Sequence, residues 1–497
     1  MTPPLDDVDA HPVTVWVSRL NRPLSNGWCA LAWLASIAVF VGLVRLSGGP
    51  ANGDAVESVY LTWAIAHGHL ACTYLSEATL HHAASPAAAP LWPLISGAFA
   101  ALARIGHHVA FPSQSALGPH CSTAIRAMTR WANRSGAFWS TTRLGYLSWL
   151  ALLAGVVVLL RASGRGRCWW EPATLVLLAV IPCVMAPLSE DFHPQDLVVM
   201  GLTFMGLACA QRRRWAWAGM LLGLAVTSQF FALLILAPIV VIAPSKQRLR
   251  FALAAIGAAS LVLVPMLAIT SGRILAVLLI GTGNAPGLGG TVLWELHLKG
   301  ALLVSVSRFL PILLSVALAG WAVRRLGPAV REPVPLVSLI ATSLALRLVF
   351  EQNLFAYYFM AFAVSFVLLD VVRGQISGQL VSWLALTTLA FSPKLSSLQW
   401  REILPYSFIV MALLLTLRAA VAGRSRPYHV AWLALVSFAY VRRDVMNPGL
   451  TFGFSIWVWQ VILLTTGVTL AVKPLLAYTP DRAVLLPGQP GEPRPIG

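Results

Sequence analysis

The sequence predicts an all-α polytopic membrane protein: a bundle of about 13 transmembrane helices with a long first extracytoplasmic loop. Three observations lead there. Of the 497 residues, 58% are hydrophobic. Only 11% are charged, against about 25% in a soluble domain. Apolar runs near the roughly 20 residues that cross a bilayer recur along the chain, separated by short basic or Gly/Pro-rich connections. The formal net charge is +17, which in such a chain reports loops facing anionic lipid. No basic run is interleaved with stacking aromatics, so nucleic acid is excluded as a partner.

Met1 to Gly27 is polar, carries Arg19 and Arg22, and reads as a cytoplasmic N-terminal segment. The run Trp28 to Leu46 is long enough to span and leads into a Gly/Pro/Asn-rich loop, so it reads as a retained first helix and not a cleaved signal peptide. Basic clusters then fall on alternate connections: Arg161, Arg165 and Arg167; Arg212 to Arg214; Lys246, Arg248 and Arg250; Arg324 and Arg325; Arg373; Arg424 and Arg426. The positive-inside rule makes these loops and the N-terminus cytoplasmic, in a plasma-membrane protein. Outer loops follow at residues 47–140, Ser189 to Asp196, Ser271 to Lys299, Arg347 to Phe355 and Ser392 to Glu402.

Within the first outer loop, the residues from Asp54 to about Leu70 read as an amphipathic helix lying on the membrane, and Leu91 to Leu102 as a juxtamembrane or re-entrant helix. Trp215 to Ala243 is flanked by basic turns on both sides yet too short for two full spans. It reads as a half-depth hairpin turning near Thr227-Ser228-Gln229. Residues 374–478 are expected to form further transmembrane helices, and 479–497 a Pro/Gly-rich disordered tail. Cys29, Cys168, Cys183 and Cys209 lie in or beside helices with no metal spacing and read as small core residues. Cys72 and Cys121 both fall in the long outer loop, where a disulfide between them is permitted.

Charged residues are scarce, so outer-side acids at helix ends are informative. Asp54 and Glu57 stand in Asn52-Gly53-Asp54-Ala55-Val56-Glu57-Ser58-Val59-Tyr60. Asp54 either caps the following helix or acts as a general base where a lipid head group meets an acceptor hydroxyl. Glu190, Asp191, His193 and Asp196, with Gln195, crowd one short loop. Capping accounts for Asp196 but not for the whole group, and carboxylates this close demand a cation or share protons. Substrate binding fits better than a divalent metal, for which one short loop is a weak signal. In Arg347-Leu348-Val349-Phe350-Glu351, the Arg and Glu either pair with each other at i, i+4 or Arg347 grips a phosphate. Tyr357 and Tyr358 either belong to an interfacial aromatic belt or stack on a sugar. All three groups fall on the outer face in a topology derived without them.

This pattern resembles the GT-C superfamily of integral-membrane glycosyltransferases. The resemblance rests on Asp54 just after the first helix, the long first outer loop, the Pro-flanked stretch Ser-Pro-Ala-Ala-Ala-Pro-Leu-Trp-Pro ending at Pro93, and the second, short acidic outer loop. It is similar in particular to actinobacterial polyprenyl-phosphomannose-dependent members, whose Asp-aromatic-x-x-Gln pattern reads here Asp191-Phe192-His193-Pro194-Gln195, followed by the Gly-rich hairpin Gly219 to Gln229. Where those members often carry His-His before a helix ending in Asp, this chain has Tyr357-Tyr358 and Asp370. The resemblance covers about Trp28 to Arg373, so residues 28–373 form the catalytic module it implies.

It implies inverting transfer of mannose or arabinofuranose from a polyprenyl-phosphate donor to a cell-envelope lipid, glycan or protein acceptor, at a site outside the membrane, by a monomer without cofactor or metal. Asp54 is the expected base. Glu57, Glu190, Asp191, His193, Gln195, Asp196, Glu351, Tyr357 and Tyr358 are the expected binding residues, with Arg347 on the donor phosphate. The competing reading is a transporter or flippase of a lipid-linked substrate. It calls for charges in mid-helix, and the sequence places almost none there.

Overall fold

A computed structural model of the chain describes residues 21–46, 53–74, 89–105, 142–189, 192–272, 305–351, 357–374 and 471–478, with scattered single positions between them. Among the described residues the chain is helical apart from turns and one isolated bridge between Pro23 and Cys168. Thirteen α-helices of eight residues or more organise the described part. They are α1 (Asn26–Leu46), α2 (Gly53–Ala66), α3 (Leu91–Ile105), α4 (Tyr146–Ala162), α5 (Trp170–Val180), α6 (Pro182–Ser189), α7 (Pro194–Gln211), α8 (Trp215–Ser228), α9 (Leu233–Ile242), α10 (Ser245–Ile269), α11 (Leu310–Leu326), α12 (Pro333–Val349) and α13 (Tyr358–Arg373).

Four stretches are long and apolar enough to cross a membrane: Asn26–Arg45, Arg143–Ala162, Ser245–Ile269 and Ser305–Arg331. The pair α5 and α6, bent by 54°, makes a fifth if it counts as one span. The described spans therefore number four to five, where the sequence led us to expect about 13 along the whole chain; most of the C-terminal helices expected over 374–478 lie outside the described residues. Several apolar runs form helices of 10–17 residues instead. An apolar run reports burial, and burial against other helices satisfies it as well as burial in lipid does.

That division is visible in what each helix exposes. Helices α1, α10 and α11 present large apolar side chains outward, among them Leu34, Leu261 and Leu313 at 65%, 77% and 63% exposure. In α13 every residue from Phe359 to Val372 is buried, and α7 and α12 are nearly as enclosed. Polar groups inside this centre close locally: Thr342 and Ser343 donate one turn back to Ser338 and Leu339 carbonyls, and Ser365 to Ala361.

Glycines let the central helices touch backbone to backbone. A Cβ on Gly155 of α4 would lie 2.3 Å from the Gly201 carbonyl oxygen of α7, and a Cβ on Gly201 would lie 2.4 Å from that of Ala151. On α8, Gly219 faces the Phe251 carbonyl and Gly223 the Ala255 carbonyl of α10, each at 2.2 Å from the position of an added Cβ. Small residues four apart on one helix face are what such close approach requires. The equal steps, 219 to 223 against 251 to 255, make α8 and α10 parallel.

The basic connections gather at one end of the bundle. Arg161 clamps the fully buried Glu171 with two hydrogen bonds, 3.1 Å from Nε and 2.8 Å from an Nη, and the Arg167 amide donates to the same carboxylate at 3.0 Å. Arg165 donates to Asn21 and to the Val372 carbonyl, and Arg331 to the Ile242 carbonyl at 2.8 Å. The N-terminal end of α1 joins this end as well, through Leu24 N–H to the Arg167 carbonyl. Asp370 lies here too, 3.7 Å from Arg373, a helix length away from Tyr357.

From this basic end, α8 rises about 20 Å over 14 residues, against a hydrocarbon thickness of about 30 Å. It stops at Gln229, whose extended backbone (φ −160°, ψ 138°) breaks the helix before a 3₁₀ turn and α9 return the chain. The hairpin expected over 215–243 is present, and its turn reaches the N-terminal end of α7, where Ser228 donates to the Gln195 carbonyl.

The expectation for α2 is corrected more strongly. Ala55 to Ala64 are all buried, so this helix does not lie on a membrane surface. Its small polar residues, read as a face toward head groups, are used between helices. Thr62 bonds both the Ser58 carbonyl and Ser96 of α3 at 2.8 Å, and Gly97 of α3 comes against Ile65. Beyond α2, Cys72 is disulfide-bonded, while Cys29, Cys168, Cys183 and Cys209 are free thiols. Cys121 lies outside the described residues.

Two glycines on neighbouring helices should respond in opposite ways. Gly223→Leu is expected to force α8 off α10 and lower the apparent melting temperature by several degrees or more. Gly257→Ala, with nothing within 4 Å of the added methyl, should leave it unchanged or raise it, since Ala is favoured in a helix by about 1 kcal/mol. Thermal unfolding of the two purified variants checks both.

Candidate functional site

At the end of the bundle opposite the basic connections, four segments converge: the turn between α6 and α7, the break after α8, the C-terminal end of α12 and the N-terminal end of α13. The turn is built under strain. Phe192 is buried at φ 47°, a left-handed conformation that costs a bulky residue about 1 kcal/mol or more. It is held by packing on Gly145, where any side chain would collide with its ring, and by the His193 amide, which donates to the Pro187 carbonyl at 2.6 Å. Pro194 then opens α7, since its fixed φ suits the first helical turn and its missing N–H is not needed there.

This turn delivers three polar side chains into the protein. His193, Gln195 and Asp196 are 3%, 2% and 2% exposed. Gln195 Nε2 lies 2.8 Å from His193 Nδ1, and the His193 ring stacks on Tyr357 at 4.0 Å with 13° between planes. Gln229, freed by the break in α8, donates to Asp196 Oδ1 at 3.2 Å. Gln195 Oε1 is buried without a hydrogen-bond partner. In a low-dielectric interior such an acceptor is costly unless something donates to it.

Opposite them stands Arg347, at the end of α12. Its Nε donates to Glu351 Oε2 at 3.1 Å. Its guanidinium lies between two aromatic faces, 4.4 Å from the Phe231 centroid and 4.9 Å from that of Tyr358. Tyr358 in turn meets Tyr357 edge to face at 4.5 Å. Both Glu351 and Asp196 lie close enough to act on the Arg347 charge. The Nη groups of Arg347 have no hydrogen bond among the described residues, so a rigid, stacked cation keeps donors to spare beside two carboxylates. Stacking holds the planar group without using its N–H bonds.

Of the residues singled out in the sequence, His193, Gln195, Asp196, Arg347, Glu351, Tyr357 and Tyr358 are brought together. The Arg347–Glu351 pair forms, as the bland reading held, through Nε, and neither Nη has a hydrogen bond among the described residues. Tyr357 is buried and Tyr358 half-buried, and both are stacking partners within the site. Asp54 falls in the first turn of α2 and Glu57 is buried on the same helix; α2 packs on α3, and α3 contacts α7 and α8. The side chain of Asp54, together with Glu190 and Asp191, lies outside the described residues. Asp370 is at the other end of α13. No group of three or more metal-ligating side chains occurs among the described residues.

The sequence reading missed Phe231 and used Gln229 only as a turn marker. The signal was present: Ser228-Gln229-Phe230-Phe231 interrupts an otherwise aliphatic hairpin with polar and aromatic groups. Comparison with protein-family models, curated proteins and solved structures finds no match to this chain.

Glu351→Gln should destabilise the protein, because it leaves the half-buried Arg347 without its paired carboxylate and with only Asp196 as counter-charge; the loss should stay below the roughly 3–5 kcal/mol of a fully buried pair. Adding Arg347→Met should recover a large part of that loss. A cycle of thermal unfolding over the two single variants and the double one reads the coupling, and simple additivity would show that the pair does not hold the site together.

Proposed function

We propose that the chain is an integral-membrane glycosyltransferase of the GT-C kind, moving a sugar, mannose or arabinofuranose, from a polyprenyl phosphate to a cell-envelope acceptor. The observation that carries this reading is the Arg347 guanidinium, stacked between Phe231 and Tyr358 with its Nη donors unspent, facing the polar group of His193, Gln195 and Asp196. A phosphate takes a two-pronged cation, and sugar hydroxyls take the mixed donors and acceptors beside it.

In the reaction, the acceptor oxygen attacks the anomeric carbon in line, the bond from that carbon to the phosphate oxygen breaks, and the electron pair leaves on the phosphate. Arg347 stabilises the charge arriving there. Asp54 takes the proton of the acceptor hydroxyl. Gln195 Oε1 and Asp196 accept from sugar or acceptor hydroxyls, with Glu57, Glu190 and Asp191 as further ligands, and holding donor and acceptor together supplies much of the rate. The basic end takes the cytoplasmic side by the positive-inside rule, so the site opens extracytoplasmically. The chain works as a monomer, and Cys72 bridges to Cys121 across the outer loop.

A transporter or flippase of a lipid-linked substrate is the second reading. Asp196, Gln229 and Arg347 sit about two-thirds of the way across the hydrocarbon from the basic end, at a broken hairpin, and charges at that depth beside interrupted helices also serve transport.

Purified protein incubated with polyprenyl-phosphate sugars and an envelope-lipid acceptor pool is expected to yield products heavier by one hexose or pentose in mass spectrometry. Asp54→Asn should lower that yield by about 10²- to 10⁴-fold with an unchanged melting temperature. Transport of the donor without any product, in the wild type as in the variant, would favour the second reading.

A further inference from the structure

Arg308 is a cation on the flank of the bundle where large apolar side chains are exposed. It lies in the π-helical turn Ser305–Phe309 that leads into α11, an irregularity often found at functional sites. It is half-buried and flanked by Leu302, Phe309 and Leu313, which are 58%, 46% and 63% exposed. It has no hydrogen bond or ion pair among the described residues. A charged group in such surroundings is expensive and calls for a function.

Helix geometry fixes its level. Helices α11 and α12 are joined at the basic end by the 3₁₀ turn Gly327–Arg331, so both can be measured from there. Arg347 stands 14 residues beyond Pro333, about 21 Å along α12, and Arg308 stands 18 residues before Leu326, about 27 Å along α11. Arg308 is thus about one helical turn farther from the basic end than Arg347. Tyr358, whose ring stacks on Arg347, also lies within electrostatic reach of Arg308.

We propose that Arg308 is a second cation for the phosphate that Arg347 receives, placed on the lipid side so that the phosphate of a membrane-anchored polyprenyl substrate passes laterally from the bilayer into the site along the edge of α11. This rests on the reading of Arg347 as a phosphate ligand. It adds the route, and it assigns Arg308 to the donor lipid.

The full-length protein in neutral phosphatidylcholine nanodiscs provides the test, with polyprenyl monophosphate, uncharged polyprenol and inorganic phosphate as probes. Arg308→Gln is expected to weaken binding of polyprenyl monophosphate by about tenfold, the worth of a charge-assisted hydrogen bond, while retention of polyprenol is unchanged. Arg308 and Arg347 substitutions together should lose less than the product of their separate losses, because both act on one phosphate. Inorganic phosphate in the millimolar range should fail to displace the lipid.

Unchanged binding in Arg308→Gln would overturn the proposal, reducing Arg308 to a side chain snorkelling to the interface. Equal loss of polyprenol, or full displacement by inorganic phosphate, would overturn it as well, by showing a packing role or an aqueous route. If Arg308→Gln does not fold, Arg308→Met, which removes the charge and keeps an apolar side chain on that flank, decides: binding weakened at an unchanged melting temperature supports the proposal, and unchanged binding overturns it. Lipid phosphate bound through both arginines without any sugar transfer would end the glycosyltransferase reading and leave this one standing; transfer with unaltered binding in Arg308→Gln would do the reverse.

Discussion

The rest of the structure depends on the shortness of α8. A helix of 14 residues leaves the basic end and stops within the bundle, where a broken backbone survives only if protein satisfies the groups it frees. The break at Gln229 is therefore wrapped by the most enclosed elements of the bundle. Ser228 donates to the Gln195 carbonyl and Gln229 to Asp196, while Phe231, one step on, supplies a ring for Arg347. A polar chamber inside the bundle follows from the need to end a helix there.

Holding α8 at the right depth falls to glycine. Backbone contact through Gly219 and Gly223 on one side, and through the Gly155–Gly201 crossing between α4 and α7 next to it, sets the helices at separations that larger residues would not allow. Without a hydrophobic drive between helices in lipid, such contact together with buried hydrogen bonds supplies the cohesion. The Arg161–Glu171 clamp fixes the far end, so the bundle is pinned at its base while the strained turn at Phe192 shapes its top. Rigidity at both levels is what a binding site needs, since misplacing a ligand by about 1 Å can cost 10²-fold in rate.

The charge pattern of the site has one direction. Asp196 and Glu351 both act on a single stacked guanidinium, and Gln195 offers an acceptor that finds no donor among the described residues. Such a group suits an anionic ligand that also carries hydroxyls. A purely structural ion pair would need neither the two rings on Arg347 nor the buried, unspent oxygen.

The sequence by itself determined the class of the protein: a helical chain with spans long enough for a membrane, basic connections on alternate turns, and a hairpin at 215–243 turning at Gln229. Those features are written in local composition and period, and the same physics acts wherever the helices pack. It also marked His193, Gln195, Asp196, Arg347, Glu351, Tyr357 and Tyr358 by their rarity in an apolar chain. Only the tertiary structure decided how deep the hairpin reaches, that α2 is buried and does not lie on a surface, that Asp370 belongs to the opposite end from Tyr357, and that Phe231 completes the seat of Arg347. The reason is common to all four. An apolar or weakly polar helix face carries no record of whether lipid, water or another helix will cover it, and only the packed neighbours supply the answer.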